Sequence, residues 1–246
     1  MFLKLRPGQI WNINITKSIM KKIMFNDKYG LTKAVLDRIK TQTRRIPDIQ
    51  PPYENSEISF PIGLIEEDEP EKHPLWMAYC WQNKDKPEEF TPWIKPRYKE
   101  GEIVAVAQSY KDLGYSETAL DRSPKDWRIV RGTLGQSKGW NNKMFVRVDA
   151  CIEKGHQIRI TKVRMQRLQD ISEEDCLKEG IYPYYYGDEE EKKRYGIPPN
   201  GYSFDGWGFH YPTPREAYAA LIDKVGKKGD WESNPYVFVY DFELIK

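Results

Sequence analysis

The segment 40–45, Lys-Thr-Gln-Thr-Arg-Arg, brings together an amine, two hydroxyls, an amide and two guanidiniums with no apolar residue among them. A threonine hydroxyl becomes a nucleophile when a base removes its proton, and a lysine can be that base if burial or neighbouring cations lower its pKa. Lys40 and Thr43 are therefore a candidate base and nucleophile, and Arg44 and Arg45 are candidate anion-binding groups. A solvated basic strand edge would also have this composition, and the spacing alone favours that simpler interpretation.

The β-branched threonines at alternate positions of this segment favour an extended conformation. Strict alternation along a strand would place Lys40, Gln42 and Arg44 on one face and Thr43 on the other. Cooperation between Lys40 and Thr43 therefore requires a twist or a bulge between them.

A second candidate residue lies in a segment whose two helix ends are both marked. Ser172 followed by Asp175 approximates a capping box, and Gly180 is a typical residue to end a helix. Glu179 then falls in the last helical turn, where the macrodipole disfavours a negative charge, a setting that suits a general base. An exposed glutamate with no catalytic role is the alternative.

The segment 157–168 predicts a basic strand face. Its apolar residues change parity, which predicts a β-bulge near Thr161 and Lys162. Outward-facing cations there, together with Arg44 and Arg45, could track a phosphate backbone, although an ordinary solvated strand face is an equal alternative. The candidate nucleic-acid-binding residues on this strand are Arg159, Lys162 and Arg164.

The elements that position these residues are short. Helices are predicted from about residue 27 to 40, over 172–179 and over 213–226, the last with Thr213 as its cap and Pro214 at its first position. Strands are predicted over 18–25, 103–106, 144–149, 157–168 and 235–244, with a glycine turn before the second of them. A doubly wound parallel sheet would need a long helix between successive strands. The pattern instead predicts an α+β fold, a small and mostly antiparallel β-barrel with flanking short helices. We expect a single domain over 19–246 after an N-terminal extension at 1–18, with a proline-rich irregular insertion at about 47–96 and a looped insertion at about 182–211.

Composition restricts the kinds of partner and site that the chain can have. The 246-residue chain has a formal net charge of +2, so any nucleic-acid contact must come from local clustering. Three scattered cysteines and three scattered histidines predict no disulfide framework, no metal site and no cofactor. No run approaches the roughly 18–20 apolar residues of a membrane span, and the first residues lack the apolar stretch of a signal peptide. We therefore expect a cytoplasmic protein with no membrane partner; its oligomeric state stays open.

Several motifs together resemble the ASCH domain, a branch of the PUA-like superfamily, in the form found in phages and prophages. They are the pattern Lys40-Thr41-x-Thr43-x-Arg45 after a short helix, the glycine-turn strand from Gly101, and the segments 167–181 and 231–240. The resemblance implies a PUA-like barrel with a cleft for RNA or a modified nucleoside.

Small bacterial members of that family hydrolyse the acetyl amide of N4-acetylcytidine. The resemblance implies that Thr43 attacks the acetyl carbonyl, Lys40 activates Thr43 and Glu179 handles protons to the leaving amine. Arg45 matches a family arginine. Two positions depart from the pattern: Arg38 replaces a glycine, and Ala107-Gln108 replaces an Arg-Glu pair. A non-catalytic RNA reader and a phage protein that contacts a host factor through the 47–96 insertion are therefore alternatives to an amidohydrolase.

Overall fold

The structure is a computed structural model that describes most of the chain. The described residues are 20–52, 56–58, 62–64, 76–89, 91–92, 94–115, 139–204 and 210–246, with 56–58, 62–64 and 76–78 given by their backbone alone. The predicted extension at 1–18 lies outside them, as does much of the insertion at 47–96.

The described part of the chain is α+β. Its strands are β1 Lys22–Ile23, β2 Gln42–Arg45, β3 Ser56–Ile58, β4 Ile62–Leu64, β5 Trp76–Ala78, β6 Trp81–Asn83, β7 Ile103–Val106, β8 Gln157–Arg167, β9 Tyr182–Tyr184, β10 Gly201–Ser203 and β11 Tyr236–Leu244. Its α-helices are α1 Leu31–Leu36, α2 Val148–Lys154, α3 Glu173–Lys178, α4 Glu189–Arg194 and α5 Pro214–Val225. Short 3-10 turns cover Asp27–Tyr29, Lys143–Phe145 and Leu168–Asp170.

The main sheet has five strands in the order β1-β7-β8-β11-β2. β1 runs parallel to β7, and the other three neighbouring pairs are antiparallel. The predicted closed barrel is wrong, because in the described residues β1 and β2 remain the two edges of an open sheet. Closure needs a ladder of hydrogen bonds between the edges, and β1 is only two residues long. A side chain reaches across instead: Arg45 Nη2 donates to the Met24 carbonyl at 2.6 Å.

The predicted β-bulge on β8 is confirmed. Lys162 pairs with Asp241 and Ile160 pairs with Phe242, so Thr161 is the extra residue. The inserted residue returns the apolar side chains to the core, and Ile158, Ile160 and Val163 are all buried.

Two helix ends form as predicted. The Ser172 hydroxyl accepts a hydrogen bond from the Asp175 amide at 3.1 Å, which caps α3. The Thr213 hydroxyl accepts from the Glu216 amide at 3.2 Å, and Pro214 is the first residue of α5. Both caps satisfy amides that the helix itself leaves free.

Two segments differ from expectation. The strand predicted at 144–149 is a 3-10 turn followed by α2, because the Asn142 side chain accepts from the Met144 amide and starts a turn. The segment 182–211, predicted to be looped, contains the antiparallel pair β9–β10 with α4 between its strands. The Asp188 side chain caps α4 by accepting from the Glu191 amide.

Part of the proline-rich segment packs onto the main core. β3 pairs with β6, and β4 pairs with β5. Trp81 is fully buried, with its ring centroid 4.3 Å from that of Tyr236. Both faces of β11 are covered, since residues 237–240 are all buried. None of the helices in the described ranges has the length and apolar character needed to cross a membrane.

Candidate functional site

Lys40 and Glu179 meet where α1 leads into β2 and α3 ends. The Thr41 amide donates to the Lys178 carbonyl at 2.9 Å, which ties the start of β2 to the last turn of α3. Lys40 Nζ then lies 2.5 Å from Glu179 Oε2 and 2.6 Å from the Glu179 carbonyl oxygen. The two side chains are only 2% and 5% exposed. Gly180, beside the Lys40 stem, has φ +100°, a backbone conformation that residues with a side chain rarely adopt.

Burial lowers the pKa of the Lys40 amine, because removal from water penalises the charged form. Glu179 opposes this shift, while the nearby guanidiniums of Arg45 and Arg44 add to it. An amine in this setting gives up its proton more readily than an exposed lysine does, which is the property that a general base needs.

Arg44 holds the other side of the Glu179 carboxylate. Its Nη1 lies 3.0 Å from Glu179 Oε1, its Nη2 lies 3.2 Å from Asp175 Oδ2, and Nη1 also donates to Gln42 Oε1. Burial opposes the charge of Arg44, but Glu179, Tyr218 and Asp175 together outweigh it, and the pKa of the guanidinium is raised. The Arg44 side chain is 1% exposed, so the structure places this predicted anion-binding group inside the protein.

The ionic contacts continue into β8 and β11. Arg164 Nη2 lies 2.9 Å from Asp175 Oδ2, and Arg164 Nη1 lies 2.5 Å from Asp241 Oδ2. Gln42 Nε2 donates to Asp241 Oδ1 at 2.5 Å. Burial alone would raise the pKa of Asp175, but Lys178 and Arg44 hold it below its ordinary value. We call the connected set the charge network: Lys40, Gln42, Arg44, Arg164, Asp175, Glu179 and Asp241.

Thr43 is not part of the charge network. It lies on the opposite face of β2, opposite Tyr240 in the ladder, and is buried. Among the described residues, no hydrogen bond joins Thr43 to Lys40 or Glu179. The structure therefore brings two of the three predicted catalytic residues together and separates the third by strand alternation.

The predicted basic face of β8 is largely neutralised. Arg159 pairs with Glu243 at 2.9 Å on the surface, and Arg164 is held by Asp241 and Asp175. Lys162 is exposed. The carboxylates come from β11 and α3, which pack beside β8, so the face does not present a continuous row of unpaired cations.

A cavity of about 490 Å³ opens between the two edges of the sheet, on the Thr43 side of β2. Lys22 and Met24 line it from the β1 side, and Arg45 lines it from the end of β2. Its deep wall carries three buried aromatic rings, Tyr98, Phe238 and Tyr240. The remaining lining residues are Ile46, Pro47, Asp48, Ile49, Ile94, Lys95 and Arg97. We call this space the edge cavity.

The cations of the edge cavity differ in how they are paired. Lys22 Nζ donates to the carbonyls of Lys143, Met144 and Val146 at 2.6–2.9 Å, and burial lowers its pKa. Arg45 and Arg97 are exposed. Arg45 lies over the Phe25 ring and Arg97 over the Tyr98 ring, and no carboxylate of the described residues pairs with either guanidinium.

Sequence reasoning missed most of the edge cavity. Arg45 was a candidate, but Met24, Ile46, Ile49 and Arg97 come from three separated segments whose approach no local pattern reveals. One signal was available: Pro47 interrupts the Ile-Pro-Asp-Ile run after β2, so no regular helix or strand is expected to bury Ile46 and Ile49 together.

A second cavity, of about 210 Å³, lies beside the Lys40–Glu179 pair. Its lining includes Ile39 and Gly180, the chain neighbours of that pair, together with the rings of Tyr29, Tyr182 and Phe204. Neither the edge cavity nor this second cavity includes Lys40, Thr43 or Glu179 among its described lining residues.

The two departures from the ASCH pattern have structural explanations. Arg38 has φ 62°, the left-handed conformation that glycine adopts without strain, and it donates through Nη1 to the Leu244 carbonyl at 3.1 Å. Gln108 is buried, and its Oε1 accepts from the His156 amide at 3.2 Å. Both residues therefore support the fold where the family pattern has a glycine and a charged pair.

Within the described ranges, no group of three or more His, Cys, Asp or Glu side chains is arranged to hold a metal ion. Cys80, Cys151 and Cys176 are buried and free. No protein-family model, no curated protein and no solved structure matches this chain.

Proposed function

We propose that the protein binds RNA or a modified nucleoside in the edge cavity. The observation that carries this proposal is the combination, at one opening, of exposed apolar side chains with guanidiniums that lack an acidic partner. The volume of the edge cavity, about 490 Å³, lies within the roughly 300–1,000 Å³ typical of small-molecule sites. The resemblance to the ASCH domain, whose implied ligands are RNA and modified nucleosides, points to the same class.

The apolar part of the opening suits a base. Met24, Ile46 and Ile49 are each more than a third exposed although they are large and hydrophobic, and all three lie around the same cavity. Clustered exposed apolar side chains of this kind are typical of binding sites, whereas scattered single ones are not. A planar base that covers them would remove their surface from water.

The charge network supports a binding role for the edge cavity over a catalytic role for Lys40. Both oxygens of Glu179 are occupied, and the side chains of Lys40 and Glu179 are almost fully buried. A balanced, buried set of ion pairs stabilises one arrangement of the surrounding elements and offers little access to a substrate.

Direct binding measurements test the proposal. We expect a fluorescently labelled single-stranded RNA, or N4-acetylcytidine in calorimetry, to bind the wild type with an affinity that Ile46→Asp lowers by at least about tenfold. The matched control is Ile197→Asp, because Ile197 and Ile46 are both 44% exposed but Ile197 lies outside the edge cavity. No binding by the wild type, or equal losses in both variants, would contradict the proposal.

A second candidate function is hydrolysis of an acylated cytidine. The 2.5 Å contact between Lys40 and Glu179, together with the lowered pKa of the Lys40 amine, favours it. Incubation with N4-acetylcytidine, followed by chromatography for cytidine, tests it directly. Absence of turnover with binding retained would reject the enzyme. Turnover that survives Thr43→Ala would reject Thr43 as nucleophile, in line with its position on the far face of β2.

A further inference from the structure

We infer that the ligand of the edge cavity carries a phosphate, and that Arg45 and Arg97 bind it. The ligand class is then a nucleotide unit, either free or within an RNA strand, and not an uncharged nucleoside. This inference rests on the proposed function, since it specifies what enters the same cavity.

The pairing of the arginines distinguishes the edge cavity from the other basic surface. Arg159 and Arg164 both contact carboxylates, at 2.9 and 2.5 Å. Arg45 and Arg97 contact none among the described residues, although both lie at the same opening. Two guanidiniums without an acid partner leave a local positive charge that a phosphate would neutralise.

The Arg45 guanidinium and the Arg97 backbone are held in place before a ligand arrives. The Arg45 guanidinium donates to the Met24 carbonyl and lies 5.8 Å from the Phe25 ring centroid. The Arg97 amide donates to the Tyr240 hydroxyl at 3.0 Å, and the Arg97 guanidinium lies 5.8 Å from the Tyr98 centroid. A guanidinium has five N–H donors, so each retains donors for phosphate oxygens. Their restraint reduces the entropy lost on binding.

The other charged residues of the cavity do not neutralise the positive charge of Arg45 and Arg97. Among the described lining residues, Asp48 is the one carboxylate, against Lys22, Arg45, Lys95 and Arg97. Lys22 is already bound to three carbonyls, so its ammonium is satisfied inside the protein. The excess positive charge therefore lies at the opening, next to the apolar side chains proposed to contact the base.

Calorimetry with matched ligands tests the inference. The ligands are the four ribonucleosides, their four 5′-monophosphates, inorganic phosphate and a short single-stranded RNA. We expect at least one monophosphate to bind roughly tenfold more tightly than its nucleoside. Arg97→Gln and Arg45→Gln should each remove most of that difference. Tighter binding of the RNA than of every monophosphate would assign the phosphate to a strand, and the reverse order to a free nucleotide.

The control is Arg159→Gln, an exposed arginine on β8 outside the edge cavity, which should change no affinity. Equal binding of nucleosides and monophosphates, or equal effects of all three substitutions, would overturn the phosphate assignment while the proposed function stands. Inorganic phosphate binding as tightly as every monophosphate would overturn the nucleotide assignment. Failure of every ligand to bind would overturn the inference and the proposed function together. Circular dichroism confirms that each variant is folded.

Discussion

The two faces of β2 use charge in different ways. On one face, Gln42 and Arg44 belong to the charge network, in which the cations contact carboxylates and lie away from water. On the other face, Arg45 lies at the edge cavity with no carboxylate partner among the described residues. Within one four-residue strand, Gln42 and Arg44 therefore stabilise the fold, whereas Arg45 faces a cavity large enough for a ligand. The comparison teaches that the composition of a basic segment does not reveal its role, because the neighbouring elements decide which cations are neutralised.

The largest expected effect comes from removing the central carboxylate of the charge network. Glu179→Gln should lower the free energy of unfolding by about 3–5 kcal/mol, because it leaves Lys40 and Arg44 buried with an uncharged partner. Urea denaturation measures the loss, and Glu232→Gln, at an exposed glutamate outside the network, is the control. A loss below about 1 kcal/mol would mean that the pair is more accessible to water than its burial indicates.

Replacement of Asp175 should lower the free energy of unfolding by a smaller amount, and that amount should depend on pH. Asp175→Asn removes contacts to Arg44, Arg164 and Lys178 and should cost about 1.5–3 kcal/mol at neutral pH. The pKa of Asp175 is lower in the folded protein than its ordinary value of 3.8, so its contribution is present above that value and is lost as the pH falls through the folded pKa.

The difference in unfolding free energy between the wild type and Asp175→Asn should therefore narrow below about pH 4, as measured by denaturation at a series of pH values. Asp170→Asn, at an exposed aspartate close in sequence, is the control and should differ little from the wild type at any pH. A difference that stays constant into acid would contradict the assigned pKa direction.

The cap of α3 should contribute about 1 kcal/mol, because the Ser172 hydroxyl satisfies an amide that the helix leaves free. Ser172→Ala removes the acceptor of the Asp175 amide and should cost that amount in thermal or urea unfolding. Ser172→Gly is the informative comparison, since glycine at an N-cap costs only a few tenths of a kcal/mol. Equal losses in the two variants would indicate that the cap is not the source of the effect.

The smallest effect on stability is expected at the edge cavity. Arg97→Gln should change the free energy of unfolding by no more than about 0.5 kcal/mol, because the guanidinium is exposed and its amide contact to Tyr240 does not depend on the side chain. Denaturation of Arg97→Gln beside Glu179→Gln gives the sharpest form of the comparison. A large loss of unfolding free energy in Arg97→Gln would mean that Arg97, like Arg44, stabilises the fold.

Local features were the most predictable from the sequence. The caps at Ser172 and Thr213 and the bulge at Thr161 depend on a few neighbouring residues, and all three form as expected. The strand expected at 144–149 did not form, because Asn142 starts a turn that competes with the extended conformation. Local pattern is reliable where one signal dominates and fails where two signals compete.

The candidate site was predictable only in part. The motif pattern selected Lys40 and Glu179, which lie 139 positions apart and make direct contact. The same pattern selected Thr43, which alternation places on the other face of β2. The edge cavity depends on the failure of β1 and β2 to pair, a property of the whole sheet that the expected barrel excluded.

The sequence by itself determined the caps of α3 and α5, the bulge of β8 and which residues of 40–45 carry reactive groups, because capping and alternation act over a few residues. Only the tertiary structure decided which of these groups are neutralised and which face open space. Burial and ion pairing depend on residues brought together from distant parts of the chain: Asp175, Glu179 and Asp241 enclose Arg44 and Arg164, whereas no described carboxylate reaches Arg45.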